Sequence, residues 1–403
     1  MVAHLALLLA MVLVAAKVGG EVATRLHQPP VLGELLAGLL LGALPWSHFR
    51  DVGSDPTVEM LSQLGVLILL FEVGLESTVR DVLHVGKAAV AVATLGTIGS
   101  FVVGFGTAFL IAPHASLALH AFLGASLTAT SVGITARVFK DLGQTRSLEA
   151  RTILGAAVLD DVIGLVVLAL VSAWIANGHA GIASLLWILA KTLGFLAVAI
   201  LVGVRVTPRL FGVAARLRTG GALLAVGLAF CFLLAWAAGA MGMAPLIGAF
   251  AAGLVLEDLH SAAFVARGER SLSQLIEPIS GFLVPIFFVL MGFRADVRTF
   301  LHGGTFLLMA ALVVAAFVGK LACALGASGG VDRMTVAFGM APRGEVTLIY
   351  ASLGMSLVAD GTHLIDSRGY SALVGVVLLT TVLTPALLKW RLGRPRHDAA
   401  ALA

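Results

Sequence analysis

Apolar residues run along this chain in long blocks, cut by proline, glycine and small groups of charge rather than by the polar stripe of a soluble helix. A helix that crosses a bilayer needs ~20 mostly apolar residues. On that rule the sequence predicts thirteen spans, near 3–25, 30–44, 57–75, 87–112, 116–140, 149–174, 183–206, 221–241, 244–258, 274–293, 304–327, 331–358 and 367–391. The second and ninth are short, and the tenth opens beside Glu277-Pro278.

Composition agrees with the pattern. The chain is 59% hydrophobic and only 12% charged, against about 25% charged in soluble domains, which excludes a soluble fold of this size. The net charge of +4 invites a nucleic-acid reading, but the placement of the basic residues gives it another meaning. With the N-terminus outside, eighteen of the 26 basic residues fall in inside loops, among them the groups Arg137, Lys140, Arg146 and Arg151; Arg205, Arg209, Arg216 and Arg218; and Lys389, Arg391, Arg394 and Arg396. Outside loops hold four, Arg50, Arg294, Arg298 and Arg368, and four more lie within spans. That bias is the positive-inside signature. It predicts an N-terminus outside, a cytoplasmic C-terminus and no nucleic-acid partner. Lys17 and Arg25 follow the first apolar run instead of preceding it, so that run is expected to be an uncleaved span and not a signal peptide. No linker and no soluble regulatory or nucleotide-binding domain is expected.

Six spans starting outside, a seventh, and six starting inside make two halves of opposite orientation, the inverted-repeat plan of many secondary transporters. Their polar interruptions match. TATSVGIT (128–135) lies in the fifth span and MAPRGE (340–345) in the twelfth, each the fifth of its half. Pro342 removes a backbone donor and Gly344 loosens its neighbourhood, so a break is expected there; Thr128, Thr130, Ser131 and Thr135 crowd around Gly133 in the other. The expected fold is an all-α polytopic membrane protein with about thirteen helices, inverted repeats and two broken, crossing helices.

Charge inside the spans carries the chemistry. AAVLDDVIGLVVLAL (156–170) sets Asp160 and Asp161 side by side in an apolar helix, where one Asp costs roughly 2.5–3.5 kcal/mol on insertion scales. Adjacent helical residues point about 100° apart, so one can face a watery cavity and the other a fixed partner. Lys320 is as isolated in VVAAFVGKLACAL, and its depth differs from that of Asp160 by roughly 6 Å at 1.5 Å per residue, which pairs it with Asp160. A static salt-bridge network would balance its charges; Asp160, Asp161 and Glu345 outnumber Lys320 and Arg343, and Glu72 widens the excess. The surplus carboxylate needs a proton or a cation. A desolvated carboxylate holds its proton more tightly and gives it up when a cation competes, and a site taking either, exposed alternately to each side, is an antiporter. Glu34 is expected at the membrane interface.

Rival classes fit less well. A channel has no need of an aspartate paired with lysine. GASG (326–329) resembles a serine-nucleophile turn, but no mid-membrane histidine stands by to activate Ser328, and an aspartyl protease wants its aspartates on separate helices. Cys231 and Cys323 read as small buried hydrophobes, the histidines form no ligand cluster, and no enzyme activity or cofactor is expected.

QPPVLGELLAGLLLG (28–42), FEVGLE (71–76), TATSVGITARV (128–138), LGAAVLDDVIGL (154–165), APLIGAFAAGLVL (244–256), VPIFFVLMGFR (284–294), FVGKL (317–321) and GMAPRGEV (339–346) follow in this order. Together they resemble the bacterial NapA-type sodium/proton antiporters of the monovalent cation:proton antiporter superfamily, over nearly the whole chain. The resemblance implies a homodimer in a bacterial inner membrane, with an elevator-like core domain near 87–174 and 304–391, a dimerisation domain near 1–75 and 221–293, and a linker helix near 183–206. It makes Asp161 the main carrier of cation and proton, with Asp160 as the second sodium ligand and Lys320 as its switchable ion-pair partner. Thr130 and Ser131 would flank the site, and Arg343 and Glu345 would balance charge around the crossing helices. In that family two acids plus the lysine go with electrogenic exchange, two protons per sodium (or lithium) ion. Glu72 stands where relatives more often carry an apolar residue and is kept as an accessory candidate. Potassium-efflux relatives usually have Gln-Asp and a cytosolic nucleotide-binding domain, and potassium/proton exchange is kept as the alternative.

Overall fold

In the computed structural model, residues 2–44, 55–76, 86–131, 134–135, 138–139, 144, 147–176, 182–214, 221–256, 271–300, 302–328, 330–359 and 361–392 are described. Gly133 of the expected fifth-span break lies outside them. So do many loop residues of the charge count, including Arg137, Lys140, Arg146, Arg216, Arg218, Arg394 and Arg396.

The helices are α1 (Val2–Arg25), α2 (Pro30–Ala43), α3 (Pro56–Glu76), α4 (Lys87–Ile111), α5 (Leu117–Ser126), α6 (Leu148–Ala176), α7 (Ile182–Ala214), α8 (Ala222–Ala240), α9 (Pro245–Val255), α10 (Leu272–Arg294), α11 (Val297–Phe300), α12 (Gly303–Lys320), α13 (Cys323–Gly326), α14 (Arg333–Gly339), α15 (Glu345–Ser356) and α16 (Ser367–Leu392). Among the described residues nine are long and apolar enough to cross a membrane, and α2, α5 and α9 are shorter apolar helices. The expected thirteen is not reached by length alone, because the fifth run is helical only as far as Ser126 before its backbone leaves the helix, and the twelfth is divided between α14 and α15. Two features were not expected. The eleventh run is interrupted just after Lys320, and β1 (Val358–Ala359) and β2 (Thr362–His363) form an antiparallel hairpin. Gly361, at φ 78°, supplies the left-handed turn conformation that Asp-Gly hairpins need.

Local sequence explains the starts. Proline opens α2 and α9, where its missing N–H costs nothing. Ser116 caps α5 by accepting from the Leu119 N–H, and Ser271 and Gln274 form a capping box on α10. Ahead of α3, the Thr57 and Val58 N–H groups bond Asp55 and hold its carboxyl below the usual carboxylate range.

The chain divides into two compact units. The first holds residues 1–84, 165–301 and 354–371; the second holds 85–164, 302–353 and 372–403. In the first, α3 packs on α9 and α10, α2 on α1 and α10, and α8 on α9. Its core gathers Ile68, Phe71 and Leu75 of α3 with Cys231, Ala249, Ala252 and Ile276. The helices meet backbone to backbone: a Cβ at Gly253 would overlap the Phe71 carbonyl, and one at Gly74 the Phe250 carbonyl. Close approach of this kind is how helices pack where no hydrophobic drive separates protein from lipid. Glu34, expected at an interface, is only 8% exposed; the first turn of α2 lies against α1, where the backbones touch at Gly19 and Gly33. Glu72, on α3, belongs to this unit.

In the second unit α4 packs on α5, α12 and α13. A core of Val92, Phe139, Ile153, Ala156, Cys323, Val336 and Met340 joins these elements to α6 and α14. One end is fastened by Asp332. Its carboxylate accepts from the Arg391 guanidinium of α16 at 2.7 and 2.9 Å, and its N–H donates to Glu149 of α6 at 3.1 Å. Large apolar side chains such as Trp187 and Trp236 stay exposed on helices of the first unit, which suits a lipid-facing surface.

Two stability predictions follow from this packing. Gly253→Val should force α3 and α9 apart and lower the thermal midpoint in detergent, a cost of about 1–3 kcal/mol for overpacking. Gly194→Ala, with open space around its Cβ, should leave the midpoint unchanged or raise it. Asp332→Asn and Arg391→Gln, measured singly and together, should show a coupling of about 0.5–1 kcal/mol, since the pair is partly solvated.

Candidate functional site

Helix α6 delivers Asp160 and Asp161 to different surroundings. Asp160 is fully buried. The Lys320 ammonium lies 3.2 Å from each of its carboxylate oxygens, and the Thr97 hydroxyl of α4 donates to Oδ1 at 3.0 Å. Lys320, also fully buried, is the last residue of α12, where its charge suits the carbonyl end of the helix. Its tail lies along α4 at Gly96: a Cβ there would come 3.5 Å from Lys320 Cδ and Nζ and collide with Cys323 Sγ.

Asp161, one residue on, is half-buried, and the charges acting on it are those of Glu345, Asp160 and Lys320. Glu345 is the first residue of α15, where a carboxylate is favoured by the free N–H groups of the helix start. Its Oε2 accepts from the Ser131 hydroxyl at 3.5 Å. Asp161, Glu345 and Ser131 thus bring hard oxygen donors of three segments into one neighbourhood, the type of ligand a small alkali cation takes.

The two broken segments are stitched together where they leave the helix. The Ser131 N–H donates to the Pro342 carbonyl at 2.9 Å, Thr130 Oγ1 to the Met340 carbonyl at 2.9 Å and Thr135 Oγ1 to the Gly339 carbonyl at 2.6 Å. Thr347 Oγ1 reaches back to the Ser126 carbonyl, the last of α5, at 2.9 Å. Gly344 makes the approach possible, because a Cβ there would lie 2.6 Å from Ser131 Cβ and Oγ. Backbone groups freed at depth in a membrane need such partners. Thr128 instead bonds the carbonyl three residues before it, at Ala125.

Arg343 completes the framework: its hydrogen bonds go to carbonyls and a hydroxyl, while the charge of Asp160 is near enough to act on it. Fully buried, it donates from Nη1 to the Thr128 and Ala129 carbonyls at 3.3 and 2.8 Å, and from Nη2 to the Ala316 carbonyl and Ser100 Oγ at 3.1 and 3.3 Å. Its own backbone is held by Thr380 and Thr381 of α16. A guanidinium has the fork of donors to span four oxygens on three elements.

Of the residues singled out from sequence, Asp160, Asp161, Lys320, Thr130, Ser131, Arg343 and Glu345 all fall in the second unit, and Glu72 in the first. Thr97 and Ser100, both on α4, were missed. The available signal was the run TLGTIGS (94–100), small and polar residues at helical spacing inside a span.

Residues 8–392 match the family described as sodium/hydrogen exchanger, transmembrane. The high-affinity Na+/H+ antiporter NhaS3 of Synechocystis sp. is 33% identical, over 93% of this chain and 87% of its own. The Na+/H+-K+ antiporter GerN of Bacillus cereus is 32% identical, over 96% of this chain and 95% of its own. The solved structure of the sodium proton antiporter MjNhaP1 from Methanocaldococcus jannaschii superposes with a TM-score of 0.68 over 97% of each chain at 17% identity, a likeness of fold. With the family match running over nearly the whole length, this chain belongs to the transmembrane sodium/hydrogen exchanger family.

Proposed function

We propose that this protein is a secondary antiporter that exchanges protons for sodium or lithium, with H+ and the cation competing for Asp161. The observation that carries the reading is the division of the aspartates: Asp160 is sealed against Lys320, while its neighbour Asp161 is only partly buried and feels the charge of Glu345. In the proton-loaded state the Lys320–Asp160 pair is closed. A sodium ion entering at Asp161 draws Asp160 in as a second ligand and opens the pair, with Thr130 and Ser131 beside the ion and Arg343 and Glu345 fixing the electrostatics around it. The reading also draws on the sodium and proton in the names of NhaS3 and GerN. The chain is a carrier and not an enzyme, and needs no cofactor.

The second unit is the ion-carrying body, and it moves elevator-fashion relative to a dimerisation body built from the first. The working form is a homodimer in a bacterial inner membrane, N-terminus outside and C-terminus in the cytoplasm. Asp161 gives up one proton to the entering ion and Lys320, parted from Asp160, gives up a second, so two protons leave per sodium ion, an electrogenic cycle. Potassium for proton exchange is the second reading, favoured by the potassium in GerN's name.

Proteoliposomes with an internal pH dye and an imposed proton gradient test both readings. Addition of Na+ or Li+ should drive proton movement in the wild type, with a smaller response to K+, and Asp161→Asn should abolish it. Full activity in that variant removes Asp161 from the carrier role, and a response to K+ alone selects the second reading. Electrogenicity is tested by replacing the proton gradient with a potassium diffusion potential set by valinomycin, using Na+ as the exchanged ion. One net charge per cycle is worth about 2.3 kcal/mol at 100 mV, so the potential alone should drive sodium movement. A rate indifferent to voltage would mean one-for-one exchange.

A further inference from the structure

We propose that Thr97 is a positioning residue for ion exchange, its hydroxyl keeping one oxygen of the Asp160 carboxylate anchored while Lys320 leaves it. The inference rests on the reading of Asp160 and Asp161 as the ion site.

Thr97 breaks with the habit of other threonines in these helices. Thr152, Thr192 and Thr380 each donate to the carbonyl four residues back, at 2.8, 2.9 and 2.8 Å, the usual outlet for a hydroxyl in an apolar helix. Thr97, buried on α4, instead donates across to Asp160 Oδ1, 63 residues away in the chain. A hydroxyl has one proton to give, and here it goes to the acid of the ion pair.

The division of bonds at Asp160 gives the contact its meaning. Oδ1 receives Thr97 at 3.0 Å and Lys320 at 3.2 Å; Oδ2 receives Lys320 at 3.2 Å. Withdrawal of Lys320 therefore leaves Oδ1 held by Thr97 and Oδ2 open to an incoming cation. Without the hydroxyl both oxygens come free together, and the carboxylate has two side-chain torsions to search before it can serve as a ligand. Holding a ligand's geometry in advance spares that ordering when the ion binds. The neighbouring Gly96 seats the Lys320 tail, so one turn of α4 shapes both partners of the pair.

The test compares wild type, Thr97→Val, Thr97→Ala and Thr97→Ser in proteoliposomes, with initial rates taken against Na+ concentration at one pH and one proton gradient. Valine keeps the shape and deletes the hydroxyl; alanine deletes it without adding a methyl group and serves if the valine variant folds poorly, as judged by its thermal midpoint in detergent. Loss of one hydrogen bond to a charged group should raise the KM for Na+ about 10-fold or more, with kcat within about twofold of wild type, and serine should restore the wild-type KM. A valine or alanine variant with wild-type KM overturns the proposal whatever its kcat, since a merely structural role would lower turnover or yield alone. A serine variant as impaired in KM as valine also overturns it. If the wild type shows no sodium-coupled proton movement, or if Asp161→Asn is fully active, the ion-site reading fails and takes this inference with it.

Discussion

An ammonium and a carboxylate 3.2 Å apart, both without solvent contact, make the demand that the rest of the second unit is arranged to meet. Each charge loses several kcal/mol of solvation on burial, and removing one partner from such a pair typically costs 3–5 kcal/mol because the other is stranded. A pair of this sort is poor evidence of stability and better evidence of use. Its neighbours fit that view: Gly96 clears room for the lysine tail, Thr97 supplies Asp160 with a further donor, and the close contact of Gly319 with α4 at Ser100 brings the end of α12 near enough for Lys320 to reach. The small residues of α4 are thus as much a part of the charge pair as the charges.

The same economy governs the two broken segments. Breaking a helix frees N–H and C=O groups that water cannot satisfy at depth, and the chain meets the debt locally. Threonine hydroxyls take the carbonyls of Met340, Gly339 and Ser126, the Ser131 N–H takes that of Pro342, and Arg343 gathers those of Thr128, Ala129 and Ala316. Because the partners lie on the opposite segment in most of these bonds, neither break is complete without the other.

What could be read from sequence was whatever stands out against an apolar background. The spans are legible as lengths of hydrophobic chain, Asp160, Asp161 and Lys320 as charges where charge is expensive, and the break at MAPRGE as a proline beside a glycine. Thr97 and Ser100 were passed over because a hydroxyl in an apolar helix ordinarily bonds its own backbone, and only tertiary contact distinguishes one that does not. Arg343 is legible as a charge near the site, but its bonds to carbonyls depend on how two distant segments cross, which spacing along one helix does not encode. Glu34 is legible as a charge near the start of its run; that its turn is also buried follows from the close contact at Gly19 and Gly33, which the sequence does not show. The hairpin of Val358–Ala359 and Thr362–His363 is too short to stand out between two apolar runs.

The use of arginine at the crossing and lysine at the acid pair has a consequence for endurance. Guanidinium keeps its charge across any pH a cell meets, whereas an ammonium in an apolar setting can lose its own. Arg343 therefore grips the same carbonyls in acid and in alkali. The joint between the two broken segments thus keeps a constant electrical character whatever the protonation of the carboxylates beside it.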